Sequence, residues 1–386
     1  MAALVMGLNG VELLAAHGFV TAWEVPGQAR NGIAKSYLVQ VDQMEAAALL
    51  ELVSGPFGVR EQERAINLSS TLHKRLCREA VRALYVLGAD GGRARLKIDD
   101  AGRIVVMGVE LAADGVLPEA GTHARETAIL IGADPEFVLR HRGSGEIADA
   151  SRFLSRRGKA GSDAVVVNGE VRYLLAELRP EPAAEPRALV RRLRSAMRAA
   201  ARAIRDPELE WLAGGMPVQG YALGGHVHLS GVPLCGALVR ALDAYLALPL
   251  VLAEDASTGR RRIRYGKLGD VRRQPHGGFE YRTPPSWLVS PGLALGVLSM
   301  AAFLARHYRE LDCSVLENLN VINAYYAGDK ETLLPAVTQL YAVLAKHPGY
   351  EAYGSELETY WKQLLQMNGW NEKQDFRRSW KIPPFD

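Results

Sequence analysis

The stretch GGHVHLSG, residues 224–231, places two histidines two residues apart in a short run of strand-forming residues. Alternate side chains of a β-strand point to the same face, so His226 and His228 are predicted to share one face of a sheet. The same spacing recurs in IGADPEF and in GFEYRT, at Asp134 and Glu136 and at Glu280 and Arg282. Together the three pairs predict one concave surface of carboxylates, imidazoles and a guanidinium, a mixture suited to a hard divalent metal beside a phosphate.

Composition indicates an ordinary globular protein of 386 residues, enough for two or three domains. The net charge of +3 does not by itself indicate nucleic acid, and three widely spaced cysteines predict neither a disulfide framework nor a thiolate zinc site. A reducing, cytoplasmic setting fits this cysteine usage. The first residues lack the basic segment of a signal peptide, and the apolar run 287–303 is interrupted by proline and glycine. We therefore expect a buried helix there and no membrane span.

Pattern changes along the chain predict three domains, covering residues 1–120, 121–315 and 316–386. The first is a smaller N-terminal α/β module with no recognisable chemistry, and the last is a helical extension explained by core packing or a subunit contact. Gly, Ala and Thr predict a linker at 111–126. Within the first module we predict a strand at 36–41, a helix at 44–53, a helix capped by Ser70 and ending near Leu87, and a hairpin of 95–98 with 103–107.

The middle region alternates strand-forming runs with helical segments. Such alternation predicts an α+β domain in which helices cover one face of a mostly antiparallel sheet. One helix, at 186–204, carries a stripe of arginines opposite an apolar stripe. The arginines could form a basic surface for a polyanion or the solvated outer face of a packed helix, and the apolar stripe favours the second interpretation.

Oxygen donors dominate the predicted metal site. Carboxylate-rich sites suit Mg²⁺ or Mn²⁺, whereas zinc prefers histidine and cysteine. The candidate metal ligands are Asp134, Glu136, Glu177, His226 and Glu280. Pro135 cannot donate to a strand ladder, so it predicts a strand edge or bulge inside the first pair.

A basic, glycine-containing run, GRRRIRYGKLGDVRRQPHGGFEYR at 259–282, precedes and includes the last pair. Arginine binds phosphate as a bidentate fork, so a run of this kind beside a metal site suits a triphosphate. A solvated basic loop is the alternative. The sequence contains neither a GxxxxGK[ST] motif nor a GxGxxG motif, so a P-loop or Rossmann nucleotide site is not supported.

Taken in order, these motifs resemble the glutamine-synthetase-like carboxylate–amine ligases. The phrases GADPEF, ELRPEP, GGHVHLSG and FEYRTPPSWL are most similar to the phage-type branch of that superfamily, the type 2 carboxylate–amine ligases or amidoligases, over residues 125–310. The resemblance implies a catalytic sheet that holds ATP and two or more Mg²⁺ ions, with Mn²⁺ as a substitute. It also implies amide formation through an acyl phosphate.

The resemblance assigns roles to individual residues. Catalytic roles fall to Glu136, Glu280 and Arg282, and Asp163 is a loose second match to the middle acids of the family beside Glu177. Residues matched to nucleotide and phosphate binding are His228, Ser230, Arg262, Arg264, Lys267, Arg272 and Arg273. The sequence departs from the family at Asp134, where the family has a glutamate, and at the proline that follows it.

Two other functions are alternatives. A metal-dependent hydrolase would need the histidines and carboxylates but no triphosphate site, and a non-enzymatic phage structural or nucleic-acid-binding protein would need neither. The basic run disfavours the first, and the intact acidic set with near-neutral net charge disfavours the second. The expected partners are small-molecule or peptide carboxylates and amines, without nucleic acid or membrane, and a homo-oligomer is compatible with the sequence.

Overall fold

A computed structural model describes residues 8–21, 35–54, 61–66, 70–112, 128–167 and 169–383. The chain divides into two compact units, the first formed by Met1–Arg125 with Leu234–Gly236 and the second by Glu126–Pro233 with Ala237–Asp386. The three-domain division drawn from the sequence stays a prediction. Most of the linker predicted at 111–126 lies outside the described residues.

The first unit contains a six-stranded sheet. Its strands run in the order β1-β6-β5-β2-β3-β4, and every pair is antiparallel except β1 with β6. The elements in chain order are α1 (Leu8–Ala16), β1 (Val20–Thr21), β2 (Ser36–Asp42), β3 (Glu45–Ser54), β4 (Glu61–Ala65), α2 (Thr71–Val86), β5 (Gly92–Ile98) and β6 (Ile104–Leu111).

Three of the four elements predicted here are confirmed. The strand at 36–41 is β2, the hairpin is β5 with β6, and Ser70 caps α2 by accepting a 3.1 Å hydrogen bond from the His73 amide. The helix predicted at 44–53 is wrong, because this stretch is β3. Gln43 and Met44 both have positive φ, as in a two-residue type I′ hairpin turn, and that turn folds the apolar run back onto β2.

The second unit contains two antiparallel sheets rather than one. A five-stranded sheet has the order β10-β11-β8-β12, with β9 also paired to β8, and a four-stranded sheet has the order β14-β15-β13-β7. The strands are β7 (Leu130–Ala133), β8 (Glu136–His141), β9 (Ile147–Ala148), β10 (Ala160–Val167), β11 (Glu170–Leu178), β12 (Leu209–Leu212), β13 (Val227–Ser230), β14 (Val271–Arg273) and β15 (Phe279–Tyr281).

The remaining helices include a long core helix and most of the C-terminal segment. They are α3 (Pro186–Ala203), α4 (Gly236–Leu242), α5 (Leu248–Leu250), α6 (Gly259–Arg262), α7 (Pro291–His307), α8 (Leu319–Ala327), α9 (Lys330–Leu344), α10 (Gly354–Leu365) and α11 (Arg377–Trp380). A π-helical turn, Asp243–Ala247, joins α4 to α5. Short 3₁₀ helices occupy Ala150–Arg152, Val251–Ala253, Ala256–Thr258, Trp287–Val289, Tyr308–Glu310, Ser314–Glu317 and Pro348–Tyr353.

These helices bury their apolar faces. The helix predicted within 287–303 is confirmed as α7, which is buried along most of its length. In α3 the apolar stripe is buried and most of the arginines are exposed, as its amphipathic pattern predicts. The segment Gly236–Ala253 is long and apolar enough to cross a membrane, but 89% of it is buried inside the protein, which is typical of a core helix. The α+β class with antiparallel sheets is confirmed.

Candidate metal and phosphate site

The chain passes from one sheet to the other at Asp134-Pro135. β7 ends just before these residues in the four-stranded sheet, and β8 begins just after them in the five-stranded sheet. Pro135 has no amide hydrogen, but its carbonyl accepts a 3.1 Å hydrogen bond from Leu178. The expectation that Asp134 and Glu136 share one strand face is therefore wrong. A strand break between two sheets, rather than alternation on one strand, sets the directions of the two side chains.

Glu136 and Glu177 face each other across β8 and β11, where they are register partners. Gly161 on β10 pairs with Glu177, so Asp163, two residues further on, lies on the same face. Glu136 Oε2 accepts a 2.7 Å hydrogen bond from the Gly224 amide. Three carboxylates therefore share one face at this end of the sheet.

Burial changes the ionisation of this acidic group. Desolvation raises the pKa of the Glu136 carboxyl. Desolvation, assisted by the negative charge of Asp134, raises the pKa of Glu177 to about 8, although Arg179 donates a 2.6 Å hydrogen bond to it. A carboxyl that stays protonated in the metal-free protein loses its proton when a cation binds to it.

The two histidines converge on Asp134. His226, just before β13, has Nδ1 3.1 Å from Asp134 Oδ1 and 3.1 Å from Glu280 Oε1. His228, on β13, has Nε2 3.0 Å from Asp134 Oδ2. Burial opposes ionisation of Asp134, but the neighbouring imidazoles outweigh it and hold the pKa of Asp134 well below its ordinary range. Burial also opposes protonation of His226, but the surrounding carboxylates raise its pKa overall.

Glu280 is a fully buried carboxylate, 0% exposed, in the centre of β15. Arg272 Nε and Gln274 Nε2 each donate to its Oε2 at 2.8 Å, and Arg282 Nη1 donates to Oε1. Its register partner on β13 is His228. Glu280 therefore lies between the histidines on one side and guanidinium groups on the other.

Five of the predicted phosphate-binding residues lie at or near the surface. Arg264, Arg272 and Arg273 are exposed, and Lys267 and Ser230 are half-buried. These side chains lie near enough to the surface to meet a ligand.

Arg262 is different. It is 3% exposed and pairs with the buried Glu254. Its guanidinium is held inside the protein, so we leave Arg262 out of the proposed phosphate site.

Sequence reasoning missed two residues of the site. Arg179 pairs with Glu177, and Gln274 binds Glu280. Glu177 and Arg179 repeat the Glu-x-Arg spacing of Glu280 and Arg282, so the spacing rule applied there would have found Arg179. Gln274 carries no such signal, because it reaches Glu280 through the pairing of β14 with β15.

The donor set fits a divalent cation. One donor atom each from Asp134, His228 and Glu280 lie within 4.8 Å of one another. His228 Nε2 is buried and makes no hydrogen bond, since its 3.0 Å approach to Asp134 lacks hydrogen-bond geometry. A buried nitrogen without a hydrogen bond, facing carboxylates, is the arrangement that a bound cation would satisfy.

A second group of metal-type donors lies elsewhere in the described chain, at His307, Glu310 and His347. The Gly349 amide donates to His347 Nδ1 at 3.0 Å, so neutral His347 carries its proton on Nε2. That proton points to Glu310 Oε2, 3.0 Å away. The nitrogen facing the group thus has no free lone pair, and the group is a hydrogen-bonded bridge rather than a metal site.

Two sheets that bring together carboxylates, imidazoles and arginines define an α+β protein with a candidate metal- and phosphate-binding site. The chain belongs to the phage phiEco32-like COOH.NH2 ligase-type 2 family, whose model matches residues 131–382. The recognition made from the motifs is therefore confirmed. The family is one of carboxylate–amine ligases. No curated protein matches the chain.

Solved structures resemble the chain only distantly. One is the crystal structure of the complex between prokaryotic ubiquitin-like protein Pup and its ligase PafA, at 12% identity and a TM-score of 0.42, over 62% of this chain and 64% of that chain. The match therefore spans less than two thirds of that chain. Another is the Plasmodium falciparum glutamine synthetase, at 8% identity and a TM-score of 0.30, over 80% of this chain and 77% of that chain.

Proposed function

We propose that this protein is an ATP-dependent carboxylate–amine ligase that forms a peptide or isopeptide bond through an acyl phosphate. The observation that carries the proposal is the meeting of Asp134, His228 and Glu280 within 4.8 Å, with arginines against Glu280. A hydrolase would need the acidic and imidazole groups alone. The arginines add the means to bind a transferring phosphoryl group. A cytoplasmic location, where ATP is available, fits this chemistry.

Two sets of residues would hold Mg²⁺ or Mn²⁺. Asp134, His228 and Glu280 form the first, and the facing carboxylates Glu136 and Glu177, with Asp163, form the second. Bound there, the ions would neutralise phosphate oxygens and make the γ-phosphorus easier to attack. His226, assigned to the metal from the sequence, instead bridges two carboxylates through Nδ1, so we place it as the residue that orients them.

The arginines act at the phosphate. Arg282 is half-buried and Arg272 exposed, and both bind Glu280 in the free protein. A cation bound at Glu280 would take up its negative charge and would leave both guanidinium groups free to contact the γ-phosphoryl group. Exposed Arg264 and Arg273 and half-buried Lys267 and Ser230 are the further candidates for phosphate contact.

The reaction has two steps. An oxygen of the substrate carboxylate attacks the γ-phosphorus and ADP leaves, giving an acyl phosphate. The amine nitrogen then attacks the acyl carbon, phosphate leaves, and the nitrogen loses its proton. The departing phosphate takes up that proton, since Glu136 is already assigned to the second cation.

The test is a screen for phosphate release from ATP with Mg²⁺ across pairs of carboxylates and amines. Glu136→Gln and Arg282→Ala should each lower turnover by at least ~100-fold, the usual cost of removing a charge that stabilises the transition state directly or through a bound cation. The exposed Arg198→Ala, on α3, is the control. Full turnover in both site variants would show that the site is wrongly assigned. Metal-dependent cleavage without ATP would show a hydrolase instead.

A further inference from the structure

Arg261, in the centre of α6, is a buried arginine that binds main chain rather than a carboxylate. Its side chain is 1% exposed. Nη1 donates to the Thr283 carbonyl at 2.7 Å, and Nη2 donates to the Pro284 carbonyl at 2.8 Å. A buried cation is costly, so its placement on consecutive carbonyls marks a segment whose position is tightly fixed.

The segment bound by Arg261 is TPPSW, residues 283–287, which directly follows Arg282. The segment also hydrogen-bonds to the strand of Glu136 and to the loop that precedes His226. The Gly225 amide donates to a carbonyl of the segment at 3.0 Å, and Trp287 Nε1 donates to the Gly225 carbonyl at 2.8 Å. Ser286 Oγ donates to the Glu136 carbonyl at 2.6 Å. The TPPSW segment therefore joins the strand of Glu136 to the loop that precedes His226.

The approach of the histidine loop to this segment is too close for any side chain. A Cβ atom on Gly225 would lie 2.2 Å from the Pro285 carbonyl oxygen and 2.6 Å from the Trp287 ring. A small displacement of the TPPSW segment would therefore move the Gly225 backbone as well.

We propose that Arg261 is a positioning residue, which couples the basic run to the acidic site by fixing the TPPSW segment. Arg260 is exposed and the buried Arg262 pairs with Glu254, whereas Arg261 binds the segment that carries Ser286 against Glu136 and that follows Arg282. The effect on metal binding rests on the proposed function. The effect on the segment rests on the hydrogen bonds alone.

Arg261→Lys is the decisive variant. Lysine keeps the charge but presents one compact ammonium group in place of a planar fork, so it cannot reproduce both carbonyl contacts. Arg261→Met removes the charge as well. If only charge mattered, the lysine variant would behave as the parent does.

Arg377 supplies a matched control. It is 2% exposed, donates to the Leu209 carbonyl at 2.7 Å and pairs with Asp375. Arg377→Lys therefore disturbs an equally buried arginine, also bound to main chain, at a place that touches none of the proposed metal ligands.

The experiment compares the full-length parent, Arg261→Lys, Arg261→Met and Arg377→Lys. Hydrogen–deuterium exchange reports on the Gly225 amide, and Mn²⁺ titration followed by electron paramagnetic resonance reports on the metal site. In both Arg261 variants we expect exchange at Gly225 to rise by about tenfold or more. We expect Mn²⁺ affinity to fall by about tenfold or more, the usual cost of disturbing groups that orient metal ligands. Arg377→Lys should lower the melting temperature but should leave both the exchange at Gly225 and the Mn²⁺ affinity unchanged.

Two results would overturn the inference. One is unchanged Gly225 exchange in folded Arg261→Lys. The other is exchange that rises equally in Arg261→Lys and Arg377→Lys, which would make Arg261 a general stabiliser. Failure of the proposed function looks different: the parent would bind no Mn²⁺, while Arg261→Lys would still loosen the Gly225 amide.

Discussion

Cation binding should release a proton from Glu177. Burial, with a smaller contribution from the charge of Asp134, raises the pKa of this carboxyl from 4.5 to about 8. At pH 7 the free protein therefore carries about 0.9 proton on Glu177, and a cation that binds the carboxylate must displace it. Affinity should fall as the pH falls below 8, by about tenfold per pH unit for this one group.

The raised pKa of Glu177 also determines how the stability of the folded protein changes with pH. The folded pKa lies above the unfolded value of 4.5, so ionisation of Glu177 destabilises the folded state. The cost is absent below pH 4.5, grows as the pH rises to about 8 and is then complete. In the absence of metal, the parent should become less stable across this window, and Glu177→Gln should show a smaller loss, with the remainder due to Glu136, whose pKa burial also raises.

Isothermal titration calorimetry with Mn²⁺ measures the proton release. Titrations at pH 7 in buffers of different ionisation enthalpy give the number of protons released per ion. Glu177→Gln should lower that number by about one. The exposed Glu146→Gln is the control and should leave it unchanged. A Glu177→Gln variant that binds Mn²⁺ and releases as many protons as the parent would refute the reasoning.

Three further substitutions test separate parts of the structure. Gly224→Ala would place a Cβ atom 2.1 Å from His226 Nε2, so Mn²⁺ affinity should fall by about tenfold, and an unchanged titration would show that the imidazole can move freely. Glu280→Gln should lower phosphate release from ATP by at least ~100-fold, because both arginines then face a neutral amide. Glu372→Ala removes a buried carboxylate that accepts hydrogen bonds from two amides, two hydroxyls and an indole, so urea denaturation should show a loss of about 3 kcal/mol or more.

Local patterns predicted the elements whose stabilising contacts are also local. The cap at Ser70 and the amphipathic stripe of α3 depend on residues a few positions apart, and both are present. The helix predicted at 44–53 was wrong, because Ala, Leu and Glu favour a helix locally. Pairing with β2 and β4 makes this stretch the strand β3 instead. Arg262 was misplaced for a similar reason. Nothing near it in sequence shows that Glu254 is buried beside it.

The site itself shows where spacing along the chain stops being informative. Two-residue spacing correctly paired Glu280 with Arg282 and brought both histidines to Asp134, because these residues lie on or beside short strands. It failed at Pro135, where the chain changes sheets. The carboxylates still converge, because Glu136 is aligned with Glu177 by strand pairing over 41 positions of sequence. Register of that kind depends on long-range packing. The residue types of this candidate metal site can therefore be predicted from sequence before their partners can.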